Sequence, residues 1–246
     1  MRSIKTFIKR LISRTGYSIS KIPEIENISN INPYSKLPKN KQDIVDLEKI
    51  SAVASGIPGM INTSSGKLMY ILCYFQLEKG DVVEIGSWQG RSSSFLARAT
   101  TESKNGKFFA IDHFKGNVGK EHYYVVKEND LSDLKRGFIE NMSKIDLANN
   151  INLMDMPNDV AVKYFSKKSI RFLFIDGDHT SEGVKKDIDL FFPLLVDGAL
   201  IIFDDYSKRF PGLLHEIDEL LSKNKYSRVM TYPNTIVLKY SDKEFT

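Results

Sequence analysis

The sequence predicts an α/β fold: a doubly wound, mainly parallel seven-stranded sheet with helices on both faces, preceded by a helical N-terminal extension. Three observations predict it. From Asp81 onward, short apolar runs alternate with amphipathic stretches, as when parallel strands are joined by helical crossovers. A turn with two glycines, Gly86-Ser87-Trp88-Gln89-Gly90, links the first apolar run to the first amphipathic one. Acidic residues stand directly after several apolar runs, and ligands of such sheets bind outside the carboxyl ends of the strands.

The elements follow in chain order. Residues 1–17 read as a basic amphipathic helix, because Ile4, Phe7, Ile8, Leu11 and Ile12 recur at helical spacing with Lys and Arg between them. Residues 18–45 read as a linker, with Pro23, Pro33 and Pro38 among Asn and Ser. The division is therefore an extension over 1–45 and an α/β domain over 46–246. A small unit from about Asp43 to Phe75 leads in, with a turn at Gly56-Ile57-Pro58-Gly59 and a helix from near Ser64-Ser65. Strands are expected at 82–85, 107–111, 151–154, 170–175 and 199–203. Helices are expected at 91–100, 131–145, 158–165, 181–195 and 211–222. Two strands, 227–231 and 235–240, close the sheet around a turn at Tyr232-Pro233-Asn234. This is a Rossmann-like arrangement.

Composition narrows the function. Hydrophobic residues make up 41% and charged residues 27% of the 246, ordinary for a globular protein. No apolar run approaches the ~20 residues that span a bilayer, and the N-terminus lacks a continuous apolar signal core. A cytoplasmic protein is expected, with peripheral contact at the inner membrane face through residues 1–17. The single cysteine, Cys73, excludes an intrachain disulfide framework and, lying in an apolar run, reads as a buried thiol. The net charge is +4, yet residues 1–23 hold six cations and no acid, so the rest of the chain carries −2. A slightly acidic body argues against a nucleic-acid partner.

The chemistry-bearing residues lie at strand ends. In Val83-Glu84-Ile85-Gly86-Ser87-Trp88-Gln89-Gly90-Arg91-Ser92, the glycines allow a sharp turn and close ligand approach, and the helix start offers N–H groups to a carboxylate or ribose. Asp112 ends the second strand, where a carboxylate can accept both hydrogen bonds of a ribose diol, in an adenosine or a nicotinamide dinucleotide alike. Asp155 ends the third. Asp176, in Ile175-Asp176-Gly177-Asp178-His179-Thr180, ends the fourth, and Asp204-Asp205-Tyr206 follows the fifth. Neighbouring strands lie ~5 Å apart, so Asp176, Asp204 and Asp205 are expected to converge. Three carboxylates in one pocket repel unless a cation neutralises them, and Mg²⁺ suits an oxygen-donor set. His179 titrates in the right range for a general base.

These motifs resemble a known family. E-x-G-x-x-x-G is similar to the first motif of class I S-adenosylmethionine-dependent methyltransferases. I-D-G-D-H-T-x-E-G-V-x-x-D, followed by an apolar strand and D-D-Y, resembles the Mg-dependent enzymes related to catechol O-methyltransferase, including the macrocin and mycinamicin sugar O-methyltransferases. The resemblance covers roughly Gly56 to Tyr240. It implies S-adenosylmethionine on Glu84, Gly86, Ser87, Gly90, Ser92, Asp112, Asp155 and Asp176. It also implies Mg²⁺ on Asp176, Asp204 and Asp205, and His179 as base, with 46–246 the methyltransferase domain. The implied reaction is O-methylation of a small-molecule or sugar acceptor, in polysaccharide or natural-product biosynthesis. Two alternatives stand beside it: an NAD-dependent oxidoreductase, which accounts for the glycines and Asp112 but not the three acids, and a non-catalytic S-adenosylmethionine-binding protein. The apolar stripe of residues 1–17 suits either an anionic membrane or a homo-oligomer seam.

Overall fold

The computed structural model describes residues 41–116 and 133–244. The expected basic helix over 1–17 and most of the expected linker lie outside them. Helix α1 (Lys41–Ser55) begins inside the stretch read as linker, and α2 (Thr63–Phe75) follows. The Asn62 side chain caps α2 by accepting from the Ser65 N–H at 2.8 Å.

The remaining elements alternate: β1 (Asp81–Ile85), α3 (Arg91–Ser103), β2 (Phe108–Ile111), α4 (Leu134–Lys144), β3 (Ile151–Met154), α5 (Asn158–Ala161), β4 (Ile170–Ile175), α6 (Ser181–Phe191), β5 (Leu195–Phe203), α7 (Pro211–Leu221), β6 (Tyr226–Tyr232) and β7 (Thr235–Tyr240). Among the described residues, seven strands form one sheet in the order β3-β2-β1-β4-β5-β7-β6. The first five are parallel; β7 enters antiparallel between β5 and β6. The doubly wound sheet expected from the alternation is present.

Period-two alternation divides the core. Val83, Ile85, Leu173 and Ile175 face α6 and α7, meeting Val184, Ile188, Phe191, Leu213 and Ile217. Val82, Ala110, Phe172 and Phe174 face the other way, toward Met69 and Cys73 of α2, Leu96 of α3, and Phe138 and Met142 of α4. Cys73 is fully buried, as its apolar setting predicts.

The boundary between α6 and β5 differs from expectation. The helix expected over 181–195 stops at Phe191 and passes through a 3-10 turn, Phe192–Leu194, that contains Pro193. β5 then starts at Leu195 rather than 199. Asp197 and Gly198 interrupt its apolar pattern, and Gly198 takes φ 81.

β4 carries the least expected residue. Ile170 pairs with Asp81 and Phe172 with Val82, so Arg171 is an extra residue at a bulge. Its guanidinium is wholly buried. Nε donates to the carbonyls of Gly80 and Asn105 (both 3.1 Å), and Nη1 to the Cys73 carbonyl (2.9 Å) and Gln76 Oε1 (3.0 Å). These carbonyls belong to the ends of α2 and to the turns entering β1 and β2. Arg171 thereby ties the amino edge of the sheet, opposite the edge that bears the acids.

Candidate active site

Four of the acids singled out at strand ends, and Gly86, occupy the first position after a strand. Along the sheet these are Asp155, Asp112, Gly86, Asp176 and Asp204, after β3, β2, β1, β4 and β5. The backbone ladder continues one step beyond the strands. Asp112 N–H donates to Met154 O (3.2 Å), Gly86 to Ile111 O (3.0 Å), Asp176 to Ile85 O (2.9 Å) and Asp204 to Ile175 O (3.1 Å). Parallel register therefore sets these residues in a row along the carboxyl edge.

The glycine loop is held from both sides. Gly86 adopts φ 83, and a Cβ there would stand 2.1 Å from the Asp176 carbonyl oxygen, so this glycine lets β1 and β4 close against each other. Gly90, at φ 93, ends the turn as the N-cap of α3. Asp112 reaches across from β2. Its Oδ2 accepts from the N–H groups of Ser87 (3.0 Å) and Trp88 (2.9 Å), and its Oδ1 from Phe114 N–H (2.6 Å). Besides the ribose role expected from the sequence, this carboxylate shapes the loop itself. Ser87 Oγ is buried near the Glu84 carboxyl and makes no hydrogen bond of good geometry among the described residues, a polar atom that fits a polar ligand.

Glu84 departs from its expected place. It shares the α3-facing side of β1 with Val82, is 0% exposed, and accepts a hydrogen bond from Ser93 Oγ. It braces the loop from beneath rather than presenting a cofactor-binding surface. Burial pushes its carboxyl up to about 7, although surrounding serine hydroxyls favour the charged form. Ser92 lies beside it, buried in the first turn of α3. Asp155 is half in solvent and pairs with Lys135 of α4 at 2.7 Å.

The acid cluster also differs from the expected trio. The set whose ligand atoms lie within 4.8 Å of one another is Asp176, His179 and Asp205. His179 Nε2 is 3.6 Å from Asp176 Oδ1 and 3.5 Å from Asp205 Oδ2. Asp204, expected in that set, lies beside it: its Oδ1 accepts from Thr235 Oγ1 of β7 at 2.9 Å, while its carboxyl still interacts electrostatically with Asp176 and His179. The next residue, Asp205, takes φ 55. Burial, then the charge of Asp176, pushes Asp204 up to about 7. Burial, then Asp205, pushes Asp176 well up. His179 is pushed down by burial, against the pull of Asp205, Asp204 and Asp178. Its ring packs on Phe210, centroids 4.6 Å apart. Phe210 and Thr235 are therefore parts of the site that motif reading missed; each lies over 30 residues from its partner in sequence.

The strand order, the glycine loop between β1 and α3, and the acid at the end of β2 together form the cofactor edge of a methyltransferase sheet. The model of a family described as a methyltransferase domain matches residues 83–206, just over half of the chain. The chain belongs to this methyltransferase family. That assignment sets aside the dehydrogenase alternative. Solved methyltransferases share the fold. An SAH-bound methyltransferase of Podospora anserina superposes with a TM-score of 0.58 at 12% identity, over 98% of each chain. A methyltransferase from Geobacter sulfurreducens gives 0.53 at 20% identity, covering 85% of this chain and 92% of that one. The O-methyltransferase NovP gives 0.52 at 18% identity, covering 80% of both. No described helix is long and apolar enough to cross a membrane.

Proposed function

We propose that this methyltransferase transfers the methyl group of S-adenosylmethionine to a hydroxyl of a small-molecule acceptor, with a sugar hydroxyl as the preferred class, in polysaccharide or natural-product biosynthesis, with the help of Mg²⁺. One observation carries the reading. The loop suited to the cofactor and the cluster suited to the cation meet at Asp176, whose carbonyl packs on Gly86 and whose carboxylate faces His179 and Asp205.

The donor chemistry fits a hard divalent cation. Asp176 and Asp205 supply carboxylate oxygens in one pocket, and the repulsion between them is what such an ion relieves. When bound, the cation supplies charge neutralisation and acidifies a coordinated hydroxyl. The chain's own residues do the rest. The backbone of the glycine loop, shaped by Asp112, holds the methionine and ribose portions of the cofactor. Asp176 and Asp205 hold the acceptor end. His179, held neutral by burial and seated on Phe210, takes the hydroxyl proton as the acceptor oxygen bonds to the methyl carbon and the carbon–sulfur bond breaks. The O-methyltransferase NovP and the family resemblance support oxygen as the acceptor atom.

The test measures methyl transfer from labelled S-adenosylmethionine to hydroxyl-bearing acceptors before and after chelation. Activity is expected to fall away with EDTA and to return with Mg²⁺. Asp205→Asn is expected to abolish the rise in melting temperature that Mg²⁺ gives, whereas Asp204→Asn keeps it. His179→Ala is expected to lower kcat about 10²- to 10⁴-fold with little change in cofactor affinity. Full turnover after exhaustive chelation would reject the metal-dependent mechanism.

A further inference from the structure

A groove on the α1–α3–α4 side of the molecule has no part in the chemistry above. Its volume is about 330 Å³, and it is lined by Lys49, Ile50 and Val53 of α1, Arg98 and Glu102 of α3, and Lys144 and Ile145 at the end of α4, among others. Its floor is apolar and Val53 is 50% exposed. Among its described lining residues are three cations and one acid, and that acid is 3.9 Å from Arg98.

The charge decides between occupants. The six cations within residues 1–23 would be repelled by Lys49, Arg98 and Lys144. The next stretch is of opposite character: residues 22–34 contain Glu24 and Glu26 and no Lys or Arg, and Ile22, Ile25, Ile28 and Ile31 recur every third residue. Chain length permits the contact. Lys49 lies eight residues into α1, ~12 Å from its start. The nine residues 32–40 can span up to ~30 Å. The segment can therefore fold back along the helix that it precedes.

We propose that residues 22–31 of this chain dock in the groove between α1, α3 and the end of α4, isoleucines on the apolar floor and Glu24 and Glu26 toward Lys49 and Lys144. Docking there gives the basic stripe of residues 1–17 a fixed point of departure from the domain. The proposal is independent of the catalytic reading.

Hydrogen exchange on the full-length protein tests it. Amides of 22–31 are expected to exchange about tenfold more slowly than unprotected chain, and Lys49→Glu with Lys144→Glu, both at exposed positions, is expected to remove that protection. Adding Glu24→Lys and Glu26→Lys to that pair is expected to restore it. A short bismaleimide is expected to link Ile28→Cys to Val53→Cys within one chain, and not to Tyr164→Cys, which is exposed on the far face; the native Cys73 is buried. Unprotected exchange in the wild type, or protection indifferent to the groove charges, overturns the proposal. So does equal linking to Tyr164→Cys. A predominantly interchain product overturns it too, by seating a second copy's segment in the groove.

Discussion

Glu84 illustrates how a residue read as a ligand contact turns out to serve from below. Its motif position is legible in the sequence, but its direction is set by strand alternation, which points it at Ser93 of α3. The consequence is a dependence on pH. A carboxyl whose pKa rises from about 4.5 unfolded to about 7 folded is protonated in the folded state where the unfolded chain has already ionised. Stability contributed by this group is therefore lost as pH rises from about 4.5 to about 7, by up to ~3 kcal/mol. Urea unfolding of the cofactor-free protein at pH 5 and pH 8 is expected to show this decline, and Glu84→Gln to lessen it. An equal decline in the variant would assign the effect to other buried acids, such as Asp187, which burial raises to about 6.

At the scale of elements, the strand-to-helix turn behaves differently at its two glycines. Gly86→Val places side-chain atoms against the Asp176 backbone, only 2.1 Å from the first of them, so it is expected to lower stability, cofactor affinity and metal affinity together. Gly90→Ala meets the flexible end of Met142 at 2.6 Å and the edge of the Phe138 ring at 3.2 Å, and its positive φ adds about 1–3 kcal/mol. It is expected to stay folded and to weaken cofactor binding alone. Urea midpoints and calorimetry with S-adenosylmethionine check both; a Gly86→Val protein of normal stability would contradict the close-approach argument. The turn and the acids after β4 and β5 are legible because each follows directly on an apolar run, at the sheet edge where ligands bind. The orientation of Asp204 is not, since its carboxylate bonds to Thr235, brought up by a hairpin strand. The start of β5 was hidden for a local reason: Asp197-Gly198 resembles a turn until Leu195 is paired with Ile170.

For the molecule as a whole, Arg171 joins more parts than any motif residue. The apolar run from Phe172 made β4 legible and gave no sign that the residue before it is a buried cation. Arg171→Met leaves the Cys73, Gly80 and Asn105 carbonyls without their donor in the interior. A loss of about 3–5 kcal/mol is expected, and Arg171→Lys should recover little, because one ammonium cannot reproduce the planar fork. Thermal unfolding measures both, with a fall under 1 kcal/mol in Arg171→Met refuting the role.

The position of β7 between β5 and β6 governs how the chain is made. During synthesis β5 emerges well before its antiparallel neighbour. Its run Ala199-Leu200-Ile201-Ile202-Phe203 then waits with an open edge, while the strand that will cover it is still to come. The nascent domain thus passes through a stage in which its most adhesive strand is bare. Demand for a chaperone should be concentrated in that interval, and shortened hairpins should aggregate as they leave the ribosome.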